Sequence, residues 1–289
     1  MRPTSWKAVP YILQRTLLAA IDDGCFWIAK GAAYSAILSF FPVLTSAAAI
    51  LVMTRAEFVS NTLEQFLAKV VPPGTEALVL AQFRAQGQKS ITLLIVAGLL
   101  SLWAAASVIK SLIQGFNMAY RVPRSRSFLH ETGVAIMLVF LGVIPLLGAS
   151  ALVLFGNQAE HAVLGAIRID PDLQSFAGAW RWVTAVARYL VSFGATVAVT
   201  SILYYYGPYR RQRWGGVWRG AVVAAVLWLP ATRGFAAYVR HIARYNVMYG
   251  SIGAGIALLV WMYLLAVIAI FGCEFNAEYE RLSSSEPAG

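Results

Sequence analysis

Six apolar stretches, each at least ~20 residues long, run through almost the whole of this 289-residue chain. At a rise of 1.5 Å per residue, such a stretch crosses the roughly 30 Å hydrocarbon core of a bilayer as a helix. No water pairs with backbone polar groups there, so each stretch must be helical. The predicted spans are 31–53, 91–120, 133–156, 183–206, 217–239 and 251–275. The sequence thus predicts an all-α, polytopic membrane protein with a bundle of six transmembrane helices.

Composition agrees with a membrane protein built as one unit. Charged residues make up 12% of the chain, whereas soluble domains carry about 25%. No Pro-, Gly- or Ser-rich linker divides the spans, which predicts a single integral-membrane domain over 1–282. The polar, small residues of 283–289 predict a disordered tail.

The net charge of +10 has two interpretations, a nucleic-acid partner or membrane topology. The turns after the second and fourth spans are short, basic and nearly free of acids, whereas the longer loops after the first and third spans mix charge signs. Basic residues concentrate in cytoplasmic loops, so both termini are predicted to be cytoplasmic, although Arg240 and Arg244 after the fifth span depart from the pattern. The basic turns then favour anionic lipid over nucleic acid as the partner.

Shorter helices are predicted outside the spans. Apolar residues recur at helical period over Pro10–Ile21, which predicts a helix that lies in the inner interface or packs on the bundle. The first outer loop predicts two helices, over 56–71 and 75–86, that form a small extracytoplasmic cap. The third loop, 157–182, is predicted to be irregular.

Prolines lie inside three spans, at Pro42, Pro145 and Pro230. Each removes a backbone hydrogen bond and predicts a kink. Kinked helices often line the cavities of transporters, but proline is also common in membrane helices that only pack. Both interpretations stay open from the sequence.

Ionisable residues within spans are costly and are candidates for function. Lys110 and Glu274 lie at similar depth, so they are predicted to form an ion pair, to reach the interface or to bind a ligand. Asn117 and Asn276 share that level and are predicted to bind a head group or a neighbouring helix. Arg233, one turn after Pro230, is predicted to face the bundle interior and meet a lipid phosphate or a hydrated groove.

Small residues predict close helix packing at Gly220 and Ala224 and in the segment GSIGAG at 250–255. That segment is not a dinucleotide-binding loop, because no strand precedes it and an apolar span follows. Cys25 and Cys273 lie near the reducing cytoplasmic face, so no disulfide is expected. No catalytic motif, metal-binding spacing or cofactor signature is present, so no catalytic residue, metal or cofactor is predicted.

Four blocks of the sequence resemble the YihY/BrkB family of bacterial inner-membrane proteins. They are GAAYSAILSFFPVL, SLWAAASVIKSLIQGFNMAYRV, ILYYYGPYRRQRWGGVWRGA and YNVMYGSIGAGIALLVWMYLLAVIAIFGCEFNAE. The resemblance implies six spans in the bacterial inner membrane and no settled activity, since an older ribonuclease label is regarded as a misassignment. Links of some members to envelope lipid export imply lipid handling. The blocks carry these family positions: Tyr34, Ser39, Pro42, Trp103, Asn117, Tyr120, Arg126, Tyr249, Gly250, Trp261, Glu274 and Asn276.

The sequence therefore favours a non-enzymatic protein that binds or transports an envelope lipid or another anionic amphiphile. A structural partner of envelope assemblies, or of a second copy of this chain, is the first alternative, and is favoured if Arg233 points into the bilayer. A membrane-bound hydrolase or ribonuclease is the second. The candidate lipid-binding residues are Lys110, Asn117, Arg126, Arg233, Tyr249, Glu274 and Asn276.

The charge pattern predicts which loops face the outside of the cell. In a variant without Cys25 and Cys273, single cysteines at Ser125 and Gln212 should resist a membrane-impermeant maleimide in sealed cells. Cysteines at 75 and 172 should react. Labelling of 125 or 212 from outside would reverse the topology.

Overall fold

A computed structural model of the chain describes residues 9–54, 91–123, 127–166, 177–242 and 246–284. These residues form helices and no strand. The helices are α1 (Val9–Asp22), α2 (Cys25–Thr54), α3 (Ile91–Ala119), α4 (Phe128–Ala166), α5 (Ala177–Tyr206), α6 (Trp214–Ile242) and α7 (Asn246–Ser284). Helices α2 to α7 are each long and apolar enough to cross a membrane, which confirms the prediction of an all-α protein with six spans.

The short helix α1 confirms the helix predicted over Pro10–Ile21. It packs against α7, where Ile12 and Phe275 form a small buried cluster. Gly24 then adopts a left-handed conformation with φ of 67°, which glycine allows without strain, and the chain turns into α2.

The six long helices form a closed circuit of neighbours. Helix α2 contacts α3 and α7, α4 lies between α3 and α5, and α6 lies between α5 and α7. Helix α3 also contacts α7 across the circuit. The main core cluster includes Phe116, Tyr204 and Ile270, and the Tyr204 hydroxyl donates to the Ala269 carbonyl at 2.6 Å. These contacts fix α3 and α5 to α7.

The closest helix contact joins α6 to α7 at Gly220 and Gly272. A Cβ atom added to Gly220 would overlap the Gly272 carbonyl oxygen and lie 2.7 Å from the Asn276 side chain. One added to Gly272 would lie 2.9 Å from the Ala224 Cβ. The predicted close packing at Gly220 and Ala224 is confirmed, whereas that predicted at GSIGAG is wrong at Gly255, where the added Cβ meets nothing within 4 Å.

Other boundary predictions differ from the structure or fall outside it. The irregular loop predicted over 157–182 is wrong at both ends, because α4 continues to Ala166 and α5 begins at Ala177. Long apolar helices extend past the bilayer where no proline or glycine stops them. Helix α7 includes residues 283 and 284 of the predicted tail. The predicted cap, 56–71 and 75–86, lies outside the described residues.

The three span prolines lie within continuous helices. Pro42 is inside α2, Pro145 inside α4 and Pro230 inside α6. A proline within a membrane helix leaves one carbonyl without its usual partner but does not have to end the helix. The positions are therefore as predicted, and the kinks themselves stay a prediction.

The contact of α6 with α7 predicts opposite effects for two glycine substitutions. Gly220→Ala should lower the melting temperature of the purified protein, because the added methyl group overlaps backbone of α7. Gly255→Ala is the matched control and should raise or preserve it, since alanine favours a helix by about 1 kcal/mol over glycine. Equal effects in a thermal-shift assay would rule out a tight contact at Gly220.

Candidate functional site

Polar side chains gather at one end of the bundle, called the basic end here. It comprises residues 120–123 and 207–213 with the helix ends beside them. The Arg281 side chain donates to the Ala119 carbonyl at 2.5 Å, and the Tyr209 N–H donates to Asn117 Oδ1 at 2.8 Å. The carboxyl ends of α3, α5 and α7 therefore meet at this end.

The Glu274 carboxylate is completely buried there, and Arg281 is its counter-ion. An Arg281 nitrogen lies 3.3 Å from Glu274 Oε1, and the same guanidinium also pairs with Glu278. Arg15 of α1 lies 3.1 Å from Glu278. Through its bond to the Ala119 carbonyl, Arg281 joins α7 to α3, and the Glu278 pair joins α7 to α1. This network holds the basic end together.

Lys110 is not the partner of Glu274, so the predicted ion pair between them is wrong. Its ammonium instead lies 5.0 Å from the centre of the Phe128 ring, where α4 begins. Equal depth along two helices does not fix the direction in which their side chains point. Sequence analysis did not identify Arg281 as the counter-ion of Glu274. The spacing between them could have indicated it, because residues seven apart lie on the same face of a helix.

Asn117 and Asn276 bind backbone groups of neighbouring elements rather than an open site. The Asn276 side chain accepts from the Gly220 N–H at 2.7 Å and donates to the Val217 carbonyl at 2.8 Å. Asn117 accepts from Tyr209 in the turn between α5 and α6. Both amides therefore fix where this turn and the start of α6 lie.

Arg233 does not face the bundle interior, so that prediction is wrong. The buried residues of α6, from Val217 to Val239, lie on the face towards α7, and Arg233 lies on the opposite face. It is exposed and forms no hydrogen bond or ion pair with the described residues. Arg126 and the Tyr249 side chain lie outside the described part of the structure.

A pocket of about 440 Å³ opens where α5 turns into α6. We call it the turn pocket, and it is lined by Tyr205, Tyr206, Pro208, Arg210, Arg211 and Gln212. Its lining contains two guanidinium groups and no carboxylate. Sequence analysis singled out this basic turn for topology, but the folding of the turn into a pocket depends on contacts with other helices.

The two arginines of the turn pocket are held differently. Arg210 pairs with Glu280 and lies 4.5 Å from the centre of the Tyr120 ring. Burial raises the pKa of the Tyr120 hydroxyl, so this tyrosine stays neutral. Arg211 is exposed and makes no ion pair or hydrogen bond with the described residues. One guanidinium is thus fixed, and the other is available to an anion.

Aromatic side chains surround the turn pocket. Tyr205 stacks on Trp214 with the ring centres 4.5 Å apart, and Trp214 and Trp218 are both about half exposed. Tyrosine and tryptophan concentrate where the hydrocarbon of a membrane meets its head groups. The residues around the pocket thus have the composition typical of a membrane interface.

Four carboxylates of the basic end are bound to arginines. Asp23 lies 3.5 Å from Arg121, Glu280 pairs with Arg210, and Glu274 and Glu278 share Arg281. Among the described residues, no group of three or more His, Cys, Asp or Glu side chains could hold a metal ion.

Comparison with known proteins assigns the family. The family described as virulence factor BrkB matches residues 16–288. The chain belongs to this family. The match covers all six long helices, in agreement with the resemblance found in the four sequence blocks.

Relatives from several bacteria are similar to this chain over most of their length or part of it. YfkH of Bacillus subtilis, described as ribonuclease-like, is 29% identical over 85% of this chain and 86% of its own. A UPF0761 membrane protein of Tolumonas auensis is 25% identical over 85% and 77%. A UPF0761 membrane protein of Vibrio cholerae is 29% identical over 63% of this chain, which spans 58% of that relative. No solved structure matches.

The network at the basic end predicts that Arg281 is needed for stability. Arg281→Met should lower the free energy of unfolding by about 3–5 kcal/mol, since it leaves the buried Glu274 carboxylate without its counter-ion. Adding Glu274→Gln should recover part of the loss. Lys110→Met, which breaks no ion pair, should cost much less. A double-mutant cycle measured by chemical denaturation in detergent tests this. If the changes in unfolding free energy of Arg281→Met and Glu274→Gln are strictly additive, the two residues do not form a stabilising ion pair.

Proposed function

We propose that this protein is a non-enzymatic membrane protein that binds, as a step in its handling or transport, the phosphate-bearing head group of an anionic lipid. The observation that carries the proposal is the turn pocket, with Arg210 and Arg211 in its lining and no acid among them. The predicted groove around Arg233 no longer supports it, because Arg233 is exposed on the outer face of α6.

The chemistry of the turn pocket suits a phosphate. A guanidinium presents paired N–H donors that match two phosphate oxygens, and such charge-assisted bonds are stronger than neutral ones. Arg210 is already oriented by Glu280 and the Tyr120 ring, so little order is lost when it takes part in binding. The exposed guanidinium of Arg211 supplies the charge that remains uncompensated.

The size and surroundings of the pocket favour a lipid rather than a soluble anion. A cavity of about 440 Å³ holds a head group but not its acyl chains. Next to it, Tyr206, Trp214 and Trp218 are exposed and provide apolar surface at interface level. The acyl chains would then lie along the exposed apolar faces of α5 and α6.

The proposal places the basic end at the cytoplasmic face of the bacterial inner membrane. This orientation follows from the positive charge of the turns at 120–127 and 207–213. The head groups offered to the pocket are then those of the cytoplasmic leaflet, whose anionic lipids attract basic segments.

A hydrolytic function has less support from the described residues. One relative is described as ribonuclease-like, and hydrolysis assisted by two metal ions needs carboxylates that are free to bind them. At the basic end Asp23, Glu274, Glu278 and Glu280 are paired with arginines instead. The outward position of Arg233 favours the structural-partner alternative, as the sequence analysis expects, but its docking surface, the outer cap, lies outside the described residues.

The pocket predicts that Arg211 contributes to lipid binding and that Arg213, two residues further along the same turn, does not. Arg211→Gln should lower the affinity for dioleoyl phosphatidylglycerol about tenfold, the ratio given by one charge-assisted hydrogen bond of ~1.5 kcal/mol. Arg213→Gln is the matched control, because Arg213 is exposed in the same turn but does not line the pocket. Native mass spectrometry of the purified protein would measure both affinities.

Zwitterionic dioleoyl phosphatidylcholine provides the second comparison, since it has the same chains and no net charge. It should bind weakly to the unmodified protein and to both variants alike. If Arg211→Gln and Arg213→Gln reduce phosphatidylglycerol binding equally, the turn acts only through its overall charge. That result would contradict a defined head-group site in the turn pocket.

A further inference from the structure

The turn pocket contains an amide that phosphate binding by its arginines does not use. Gln212 lines the pocket beside Arg211. Its Nε2 atom is buried and has no hydrogen-bond partner among the described residues. Buried polar side-chain atoms nearly always have a partner, and an unpaired donor is costly. This amide therefore has bonding capacity that the fold itself does not use.

The Tyr120 hydroxyl lies beside the Gln212 amide but does not satisfy it. Burial raises the pKa of this hydroxyl, while the Arg210 charge and the Gln212 amide act in the opposite direction. The amide is thus close to Tyr120, although Nε2 forms no hydrogen bond. A glutamine amide has two N–H donors and an oxygen with two lone pairs, so one tyrosine hydroxyl uses only part of it. The remaining capacity is available to a ligand in the turn pocket.

The other polar groups of the pocket restrict the kind of ligand that suits this amide. Arg210 and Arg211 are positively charged and can only donate, and the lining contains no carboxylate. An ammonium group in the pocket would be repelled by both guanidiniums. A hydroxyl group is neutral and both donates and accepts, so it matches the Gln212 amide whichever end of the amide it meets. The pocket therefore favours a head group that combines a phosphate with a hydroxyl.

The pocket has room for both parts of such a head group. Its volume of about 440 Å³ is within the range of sites that hold whole small molecules, so a phosphate fills only part of it. Arg210, Arg211 and Gln212 are consecutive in the chain and line the same pocket. In a glycerol head group, the hydroxyls lie on the second and third carbons beyond the phosphate oxygen. A phosphate on the arginines thus brings these hydroxyls close to the next residue, Gln212.

We infer that Gln212 determines the specificity of the turn pocket and selects lipids whose phosphate carries a hydroxylated alcohol, as in phosphatidylglycerol. The arginines bind the phosphate, and the Gln212 amide forms a hydrogen bond with a hydroxyl of the alcohol. A head group that ends in hydrocarbon leaves the amide unpaired, and one that ends in an ammonium is repelled. The inference rests on the proposed function, because it takes the phosphate site as given and names the class of head group that the site accepts.

The test compares two lipids that differ in the hydroxyls but not in charge or acyl chains. Dioleoyl phosphatidylglycerol and dioleoyl phosphatidylethanol are both phosphodiesters with one negative charge, and phosphatidylethanol has no hydroxyl. Native mass spectrometry of the unmodified protein should show phosphatidylglycerol bound about tenfold more tightly, the ratio expected for one hydrogen bond to a buried amide. Gln212→Met has a similar volume and no hydrogen-bonding group. It should lower the affinity for phosphatidylglycerol to that for phosphatidylethanol and leave the latter unchanged.

Two control variants separate hydroxyl selection from phosphate binding. Gln114→Met makes the same change at an exposed position of α3 that does not line the pocket, so it should keep the preference for phosphatidylglycerol. Arg211→Gln should weaken both lipids by the same factor, because both carry the phosphate. If Arg211→Gln does so but Gln212→Met keeps the preference, the role of Gln212 is wrong and the phosphate site stands. If Arg211→Gln changes the affinity for neither lipid, the proposed function fails and the inference fails with it.

A thermal-shift assay distinguishes ligand binding from a structural role of Gln212. Because Nε2 bonds to no described residue, Gln212→Met should preserve the melting temperature of the lipid-free protein. A lower melting temperature with an equal loss of both lipids would mean that Gln212 only shapes the turn. An equal loss at an unchanged melting temperature would mean that the amide binds the phosphate, which contradicts selection by the hydroxyl.

A soluble ester distinguishes a lipid from a free phosphate with the same head-group chemistry. Glycerol phosphate at millimolar concentration should not displace phosphatidylglycerol from the unmodified protein, because it lacks the acyl chains that hold the lipid at the membrane interface. Displacement would assign the turn pocket to a soluble polyol phosphate and would overturn selection among lipids.

Discussion

A carboxylate without any contact with solvent, that of Glu274, is the group on which the arrangement of the helices depends. A buried charge is costly in a protein and more so at membrane depth, so it needs a counter-ion in good geometry. Arg281 supplies it from the same helix and uses its remaining donors for Glu278 and for the carbonyl at the end of α3. Arg15 then attaches α1 to Glu278. Neutralising one carboxylate thus also fixes where α1, α3 and α7 meet, and with them the level of the turn between α5 and α6.

Features that depend only on the order of residues along the chain could be predicted from the sequence. Features that depend on the direction in which a side chain points could not. Apolar length alone gives the six spans, because the bilayer imposes both length and helical structure. The helical period of the apolar residues predicted α1, and the small residues Gly220 and Ala224 predicted the close contact of α6 with α7. The predictions of a Lys110–Glu274 ion pair and of an inward-facing Arg233 were wrong for the same reason. The depth of a residue can be counted along a helix, but the side of the helix that faces the interior depends on which neighbours the helix packs against.

The two ends of the bundle differ in how they satisfy charge. At the basic end, arginines and carboxylates largely neutralise each other, and Arg211 remains available at the rim of the turn pocket. At the far end of α5 and α6, arginines occur without acids on either helix. The turn pocket therefore has Arg211 as a guanidinium that no described carboxylate neutralises.

The closed circuit of helices has a consequence for the order in which the protein assembles. Helix α7 is the last of the described spans to be synthesised, yet its neighbours include α2 and α3, which are the first two. Until α7 leaves the ribosome, the five earlier spans form an open arc whose inner faces meet lipid. Because Glu274 and Arg281 travel on one helix, the charge enters the membrane together with its counter-ion. Closure of the ring is therefore a late event of biogenesis, and a chain truncated before α7 leaves the translocon as an unclosed bundle exposed to membrane proteases.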